Sequence, residues 1–383
     1  MNNSELIDII RRGEDSKHQF KRIFTNIDAI AAEMVAFSNT SGGLIIIGIN
    51  DNGTLEGLSA DDIQKLNNLI SNAASQNVIP AINPLTQNVS VDDKLVMVVE
   101  IPNGINKPYQ DKNGVFWVKS GADKRKATSI EEIQRLFQKS GLIHADEMTV
   151  SGLTGADLDF DYFKNFFFKH FGKPFEEETL PVQKLLENMN LLKDDMLTLA
   201  GALLFANQPQ FKLPAFIVKA GAFNYTDIST SEYQDSRNIE GKLGDIFNKT
   251  ISFVLGHLRH VQGEQGFNSI GIPEIPLEAL EEIVTNALIH RDYFISSPVR
   301  VFVFRDRVEI ISPGHLPNNL TIENIKAGNS NTRNPVLASF ANYLLPYRGY
   351  GSGIIRALSK YPEIDFADDR ENNQFKVTFR RIE

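Results

Sequence analysis

Three glycines at alternate positions, Gly349, Gly351 and Gly353, precede an apolar stretch that predicts a helix. Glycines at such a place leave the backbone amides of a helix N-terminus open, and open amides bind phosphate groups. A flexible turn has the same pattern, so the glycines alone decide little. What restricts the fold is their position in the chain, after a particular helix and a pair of strands.

That helix is predicted over residues 277–291, where apolar side chains recur at helical spacing. Glu282, Asn286 and His290 follow one another at intervals of four and share one polar stripe. A solvated helix surface has the same appearance. The amide oxygen of Asn286 can also bind Mg²⁺, and Glu282 can orient or deprotonate a water molecule that attacks a γ-phosphate.

Two strands are predicted next, over residues 299–304 and 307–311, and a longer loop leads from Gly314 to the three glycines. In this order, the helix, the strands and the glycines resemble the GHKL ATPases, the superfamily of gyrase and the histidine kinases. The resemblance covers roughly residues 200–383. It implies a Bergerat fold, in which helices stack on a mixed sheet as a two-layer α/β sandwich.

The same resemblance implies ATP and Mg²⁺ as ligands, with Glu282 as the general base and Asn286 as the residue that binds the nucleotide's Mg²⁺. Ser312 stands where the family has an Asp that binds the adenine amino group, and Leu316 stands where the family has a later glycine. Adenine selectivity therefore stays open. The implied cofactor-binding residues are Asn286, His290, Ser312, Gly314, Arg333, Gly349, Gly351, Ser352 and Gly353.

The segments 282–293 and 332–335 resemble a branch of this superfamily found in bacterial and archaeal predicted regulators. Members of that branch are often labelled RecG-like helicases. The chain contains no G-x-x-x-x-G-K-[ST] motif, so we do not expect a P-loop helicase motor. A weak GHKL-type ATPase activity is the enzymatic expectation.

Near the N-terminus, the sequence predicts a helix over residues 28–37, capped by its first residue, and a buried strand over residues 44–49. Together with segments 13–22 and 115–126, they resemble the Schlafen/AlbA-type domain over about residues 5–140. The resemblance implies binding of DNA, with RNA as a second option.

Basic residues in these segments could form the nucleic-acid surface, with Trp117 stacking on a base. The other interpretation is that the basic turns are merely solvated and that Trp117 belongs to the core. The residues of the predicted surface are Lys17, Lys21, Arg22, Lys119, Lys124, Arg125 and Lys126.

Some Schlafen relatives cleave RNA with a cluster of acidic residues that includes two glutamates five positions apart. Here Glu14 occupies the first position, but the second is Gln19, a neutral amide that cannot supply an anionic oxygen to a metal. Asp51 is a further acid, although in its Asp-Asn-Gly context it also suits a turn. A nuclease of a defence system is therefore the alternative rather than the main interpretation.

The chain has no cysteine and a net charge of −9. The first property excludes disulfides and thiolate zinc sites, and the second argues against a protein that coats nucleic acid through its overall charge. The sequence shows neither a signal peptide nor an apolar run of about 18 residues. We therefore expect a cytoplasmic protein without membrane contact, and no metal other than the Mg²⁺ of the nucleotide.

At 383 residues the chain is long enough for two or three compact units. We expect an α+β protein with a Schlafen/AlbA-type α+β domain over residues 1–144, a helical connecting unit over 145–198 and a GHKL ATP-binding domain over 199–383. In the connecting unit, the aromatic residues of segment 163–167 are expected to pack in a core.

The resulting hypothesis is a transcriptional regulator that binds DNA through its N-terminal domain. ATP binding or slow hydrolysis would act as a switch of conformation or dimerisation, and a homodimer is expected. Two alternatives stay open, namely an ATP- or metal-dependent nuclease and a nucleotide sensor that does not hydrolyse its ligand.

Overall fold

A computed structural model describes residues 3–139, 141–228, 232–261, 271–317, 320–347, 349 and 351–381. The chain forms two compact units, Met1–Ile143 and His144–Glu383. Each unit combines helices with sheets, so the fold is α+β, as predicted. None of the described helices is long and apolar enough to cross a membrane.

The N-terminal unit is built around a four-stranded sheet. The helices of the unit are α1 (Asn3–Arg12), α2 (Ile27–Asn39), α3 (Ala60–Asn72), which continues as the π-helical turn Ala73–Asn77, and α4 (Ile130–Lys139). Its strands are β1 (His18–Lys21), β2 (Gly43–Ile47), β3 (Val78–Ile79), β4 (Leu85–Val91), β5 (Lys94–Ile101), β6 (Gln110–Asp111), β7 (Trp117–Ser120) and β8 (Asp123–Lys126). In the sheet order β1-β2-β5-β4, the pair β1 and β2 is parallel and the other neighbours are antiparallel. Strands β7 and β8 form a separate antiparallel pair.

Both faces of this sheet are covered by helices. Ile45 and Ile47 of β2 pack with α2 and α3 on one face, whereas Ile46 packs with Leu6 of α1 on the other. A strand that is buried on both faces needs apolar side chains at every position. This explains why β2 is a continuous apolar run instead of an alternation of apolar and polar residues.

Helix α2 begins one residue before the predicted start. The side chain of Asn26 accepts a hydrogen bond from the backbone N–H of Asp28 at 2.8 Å, so Asn26 is the cap and the prediction of Asp28 is wrong. The Asp28 carboxylate instead pairs with Lys112 at 2.7 Å, and this bond lowers the pKa of Asp28. Most of α2 is buried, including Glu33.

The C-terminal unit contains a larger, mixed sheet of six strands. The helices of the unit are α5 (Phe160–Phe171), α6 (Val182–Asn188), α7 (Leu199–Phe205), α8 (Leu243–His257), α9 (Leu277–Ile289), α10 (Ile322–Lys326), α11 (Pro335–Leu344) and α12 (Gly353–Lys360). Its strands are β9 (Thr149–Thr154), β10 (Leu192–Lys193), β11 (Met196–Thr198), β12 (Val218–Ala222), β13 (Asp235–Ile239), β14 (His260–Val261), β15 (Ile272–Pro273), β16 (Val299–Val303), β17 (Arg307–Pro313), β18 (Ile364–Asp369) and β19 (Gln374–Arg380). The sheet order is β13-β12-β16-β17-β19-β18, in which β12 and β16 are parallel and the other neighbours are antiparallel.

Helices cover one face of the six-stranded sheet. Val299, Val301 and Val303 of β16 are buried in the core, whereas Arg300 and Phe302 between them are half-buried. This alternation of period two is typical of a strand with one buried face. Helices α8 and α9 pack against that face, in agreement with the predicted arrangement of helices on a mixed sheet.

The segment 145–198 does not form a unit of its own, as the three-part division would require, but belongs to the C-terminal unit. The aromatic stripe of α5 is buried, as predicted, and the ring of Phe166 lies 5.3 Å from that of Phe340 in α11. Asp146 accepts a hydrogen bond from the backbone N–H of Leu337 at 2.9 Å. Because the stripe of α5 is too apolar to be left exposed, it packs on the core of the following segment.

Candidate nucleotide site and nucleic-acid surface

One cavity in the C-terminal unit brings together the residues that the GHKL resemblance implies. Helix α9 forms one wall, the glycine segment before α12 forms another, and β17, β18 and β19 contribute side chains between them. The implied residues that line this cavity are Glu282, Asn286, His290, Ser312, Gly314, Arg333, Gly349, Gly351, Ser352 and Gly353. Arg348 and Tyr350, which separate the glycines in sequence, lie outside the described residues.

The polar stripe of α9 faces the cavity. Glu282 is nearly buried, and the Asn286 Nδ2 donates a hydrogen bond to the Glu282 Oε1 at 3.1 Å. His290 directly follows the last residue of α9, and its backbone N–H donates to the Asn286 carbonyl at 2.9 Å. Leu280 and Val284 are buried on the opposite side of the helix. Spacing along a single helix is therefore enough to aim all three polar residues at one place.

His290 is a neutral residue at physiological pH. Burial, with a smaller effect from the nearby Arg333 guanidinium, lowers the pKa of His290 to about 4. Its Nε2 lies 3.4 Å from the hydroxyl of Tyr347, which also lines the cavity. His290 can therefore hydrogen-bond to a ligand as a neutral imidazole.

Two of the three glycines, Gly351 and Gly353, approach other parts of the cavity too closely for a side chain. Gly349 and Gly351 have φ angles of 69° and 71°, which are unfavourable for other residues. A Cβ atom on Gly351 would overlap the backbone carbonyl of Gly328, and one on Gly353 would overlap the Glu282 carboxylate. Gly351 is thus required both by a close contact and by its backbone conformation, Gly349 by its conformation and Gly353 by its contact with Glu282.

Arg356 of α12 is a cavity-lining residue that the sequence analysis missed. Its Nη2 donates to the Glu282 Oε2 at 2.9 Å, so that both oxygens of this carboxylate are hydrogen-bonded within the protein. The available signal was its position in the helix after the glycines, one turn beyond Gly353 and on the same side.

Ser312 lies near the end of β17, which extends two residues beyond the predicted strand end. Its hydroxyl donates to the Ala287 carbonyl of α9 at 3.0 Å. With its proton engaged in this way, the Ser312 oxygen can only accept a hydrogen bond from a ligand. The following Gly314 has a φ angle of 96° and passes close to the Arg333 guanidinium.

Arg333 brings a cation to the cavity, with the carboxylates of Asp292 and Asp368 near enough to interact with it electrostatically. Its Nη2 donates to the His315 carbonyl at 2.7 Å, and it forms no ion pair with any residue that the structure describes. Burial lowers the pKa of Arg333, with Asp292 and Asp368 opposing this effect. The neighbouring Asn334 fixes the segment to the end of α9. An arginine in this position is suited to binding a phosphate.

An apolar region completes the cavity, and apart from Leu316 its residues were not identified from the sequence. Phe366 of β18 and Phe375 and Val377 of β19 line the cavity together with Ile325 of α10 and Leu316. Ligand pockets commonly combine an apolar lining with a few convergent polar groups. Such a region can accommodate the flat surface of a nucleotide base.

The predicted nucleic-acid residues of the N-terminal unit differ in how freely they can bind a phosphate. Lys17 and Lys126 are exposed, and the Lys126 Nζ lies 5.4 Å from the centre of the Trp117 ring. The others form internal ion pairs, which are Lys21 with Asp51 at 3.1 Å, Arg22 with Glu56 at 3.2 Å, Lys124 with Glu33 at 2.7 Å and Arg125 with Glu132 at 2.6 Å. Trp117 is half-buried and donates its indole N–H to Asp111.

Lys119 does not lie on the surface at all, so its assignment to a nucleic-acid surface is wrong. Its side chain is 0% exposed, and its Nζ donates to the Gln19 Oε1 at 2.8 Å and also to the Ala122 carbonyl. The Glu33 Oε2 is 3.9 Å from the same Nζ. Burial lowers the pKa of Lys119, with Glu33 and then Glu14 opposing that effect.

Two of the positions considered for a nuclease centre, Glu14 and Gln19, belong to the same polar cluster as Lys119. Gln19 donates to the Glu14 carboxylate, which also accepts the backbone N–H of Phe20 at 2.7 Å. Asp51 pairs with Lys21 instead. Within the described part of the chain, no three His, Asp or Glu side chains are grouped so that they could hold a metal ion.

Two family models match parts of the chain. Residues 14–128 match a family described as "Schlafen, AlbA_2", and residues 296–379 match one described as "Putative ATP-dependent DNA helicase recG C-terminal". The second match begins after α9, so Glu282 and Asn286 precede it. No curated protein matches the chain.

Solved structures with some similarity include that of the DIP2311 protein from Corynebacterium diphtheriae, at 20% identity and a TM-score of 0.47, covering 99% of this chain and 80% of that one. Another is the solution NMR structure of the "N-terminal Domain of Putative ATP-dependent DNA Helicase RecG-related Protein" from Nitrosomonas europaea. It is 24% identical, with a TM-score of 0.24, and the match covers 34% of this chain and 96% of that one. From the two family matches, the chain contains an N-terminal Schlafen/AlbA_2 domain and a C-terminal RecG-like ATPase-type domain, a combination that suggests a nucleotide-binding protein connected with DNA or RNA.

Proposed function

We propose that the protein is a transcriptional regulator that binds ATP and Mg²⁺ in the cavity of its C-terminal unit and DNA through its N-terminal unit. The observation that carries the proposal is the convergence of Glu282, Asn286, Arg333 and the glycine segment on one cavity. The two family matches support the same division of tasks between the units.

The residues present fit a magnesium nucleotide. Arg333 and the backbone amides around Gly351 are suited to the phosphates, and the apolar region around Phe375 is suited to the base. The Asn286 Oδ1 accepts no hydrogen bond from the residues that the structure describes, so it is available as an oxygen ligand of Mg²⁺. When bound, Mg²⁺ would neutralise part of the phosphate charge.

Glu282 is the group for hydrolysis, because it is the one carboxylate among the described residues that line the cavity. It would accept a proton from the water molecule that attacks the γ-phosphorus, and ADP and inorganic phosphate would be released. One oxygen of Glu282 accepts a hydrogen bond from Asn286 and the other accepts one from Arg356. Because these bonds stabilise the carboxylate without a proton, they favour slow turnover. ATP then acts as a switch more than as a source of work.

For ATP to control DNA binding, it must have different affinities for two states of the protein. Those states would differ in the arrangement of the two units or in dimerisation, with a homodimer as the proposed assembly. Among the predicted surface residues, the exposed Lys17 and Lys126 are the two cations that form no ion pair within the described part of the chain, and they would bind DNA phosphates.

The nucleotide site is tested by calorimetric titration of the intact protein with Mg-ATP. We expect Asn286→Ala to lower the affinity roughly tenfold or more, because the variant loses an oxygen ligand of the metal and a hydrogen bond to Glu282. Asn248→Ala, an exposed asparagine in α8, is the matched control and should bind like the wild type. Absence of wild-type binding to ATP, ADP and GTP would exclude the proposal.

The regulatory part is tested by the fluorescence anisotropy of labelled duplex DNA, with and without saturating Mg-ATP. We expect the DNA affinity or the oligomeric state to change with nucleotide, and Asn286→Ala to abolish this dependence. If neither quantity changes although ATP binds, the switch must be abandoned and the cavity is a nucleotide site of another purpose.

A further inference from the structure

Arg356 is a second cation in the cavity, and its position is different in kind from that of Arg333. Its side chain is 39% exposed, whereas that of its partner Glu282 is 10% exposed. The Arg356 Nη2 and the Glu282 Oε2 are 2.9 Å apart. Because Arg356 is the more exposed member of the pair, it can leave Glu282 by rotating its own side chain, without movement of α9.

We propose that Arg356 distinguishes ATP from ADP by binding the terminal phosphate, and that it releases Glu282 when it does so. This inference rests on the proposed function, since it needs a nucleotide in the same cavity. A guanidinium binds carboxylates and phosphates through the same planar set of donors. A triphosphate carries more negative charge than one carboxylate, so the terminal phosphate competes effectively with Glu282.

The exchange makes the general base dependent on the correct nucleotide. Asn286 donates to one oxygen of Glu282 and Arg356 to the other, and the Arg356 guanidinium offsets the negative charge that makes Glu282 a proton acceptor. Binding of the terminal phosphate to Arg356 removes this positive charge from the carboxylate. ADP has no terminal phosphate at this position and therefore leaves the pair intact.

Helix α12 can stay in place during this change. Ala357 is buried in the core, Leu358 packs against it, and Tyr361 directly after the helix is also buried. These apolar contacts hold the helix against α9, so only the exposed end of the Arg356 side chain has to move.

Arg333 cannot perform the same task. It is half-buried, its guanidinium donates to the His315 carbonyl at 2.7 Å, and its backbone carbonyl lies 3.0 Å from the His144 Nδ1. A fixed cation of this kind interacts with phosphates that ADP and ATP have in common. Arg333 thus contributes to the binding of either nucleotide, whereas Arg356 recognises the third phosphate of ATP.

The experiment compares the dissociation constants of Mg-ATP and Mg-ADP by calorimetry on the full chain. We expect Arg356→Gln to weaken ATP binding roughly tenfold or more, as the loss of a charge-assisted hydrogen bond predicts, and to leave ADP binding unchanged. Glu282→Gln should strengthen ATP binding, because Arg356 is then held less tightly. In the double variant this gain should be absent.

Arg380→Gln is the matched control, since Arg380 is an exposed arginine of the same unit that pairs with Asp365 at 2.7 Å. It should leave both affinities unchanged. Equal effects of Arg356→Gln on ATP and ADP, or no effect on either, would overturn the assignment of Arg356 while leaving the proposed function standing. A wild type that binds neither nucleotide would overturn both. Unchanged ADP binding also verifies that the Arg356→Gln variant is folded.

Discussion

Asp146, which precedes β9 in the chain, has a fully buried carboxylate that packs against the first turn of α11. Its Oδ2 accepts the backbone N–H of Leu337 at 2.9 Å, whereas its buried Oδ1 has no hydrogen-bond partner in the described part of the chain. Burial outweighs the hydrogen bond and raises the pKa of Asp146 to about 6. The charged form is therefore destabilised in the folded protein relative to the unfolded chain, where the pKa is about 3.9.

The sign of the resulting pH dependence follows from proton binding. Between about pH 4 and pH 6 the folded state holds the proton more tightly, so the free energy of unfolding decreases as pH rises through this range. We expect the free energy of unfolding of Asp146→Asn, measured relative to that of the wild type, to be greater by roughly 1 kcal/mol at pH 7.5 than at pH 5. Urea unfolding at these two pH values measures the difference. Asp161→Asn, at an exposed position of α5, is the control, and an equal pH trend in both variants would contradict the prediction.

Single residues also show where inference from sequence reaches its limit. The spacing of Glu282 and Asn286 on one helix fixes their common direction, because both belong to one regular element. The burial of Lys119 could not be inferred in the same way, since its partners Gln19 and Glu33 lie on β1 and α2, far away along the chain. Lys119 lies in a hairpin that the sequence suggests is exposed, but its ammonium group is buried close to the Glu33 carboxylate.

At the scale of elements, the glycine segment determines how close α12 can come to the rest of the cavity. Gly351 has a φ angle of 71° and faces the backbone carbonyl of Gly328, which cannot rotate away as a side chain could. Gly172, the residue after α5, has the same φ angle of 71° but open space around it. The two glycines therefore separate the effect of backbone conformation from that of a close contact.

We expect Gly172→Ala to lose about 1 kcal/mol of stability from its left-handed conformation and to keep wild-type ATP affinity. Gly351→Ala carries the same conformational cost, and it must also displace the glycine segment from Gly328. Its ATP affinity should fall roughly tenfold or more, as expected when a phosphate-binding backbone is misplaced. Thermal unfolding and calorimetry on both variants provide the comparison, and equal ATP affinities would show that the contact with Gly328 is unimportant.

The order of elements in the C-terminal unit was largely inferable, whereas their contacts were not. Helix α9 spans Leu277–Ile289, against a predicted range of 277–291, because hydrophobic periodicity locates a helix well and its end less well. No pattern in the sequence sets the distance between α9 and α12, so the ion pair of Glu282 with Arg356 was missed. The apolar residues of β18 and β19 were missed for the same reason.

For the whole molecule, the two-unit division has a physical cause that local patterns do not contain. Residues 145–198 read as an independent helical segment, yet their apolar side chains join a core that extends to Phe379 in β19. Whether a segment folds as a separate unit depends on the surface against which its apolar face packs. Here that surface is distant in sequence. The segment therefore shares one core with the sheet whose strands line the cavity.

The net charge of −9 also has a consequence for the whole molecule, because the protein as a whole repels DNA. Binding must then depend on a few local cations, and its affinity should fall steeply with salt. We expect Lys17→Gln and Lys126→Gln each to weaken duplex binding and to reduce the slope of log K against log salt concentration by about one unit. Fluorescence anisotropy over a salt series measures this slope, with Lys169→Gln, an exposed lysine of α5, as the control. If all three variants keep the wild-type slope, the phosphate contacts lie elsewhere, and the expectation that these lysines bind DNA fails.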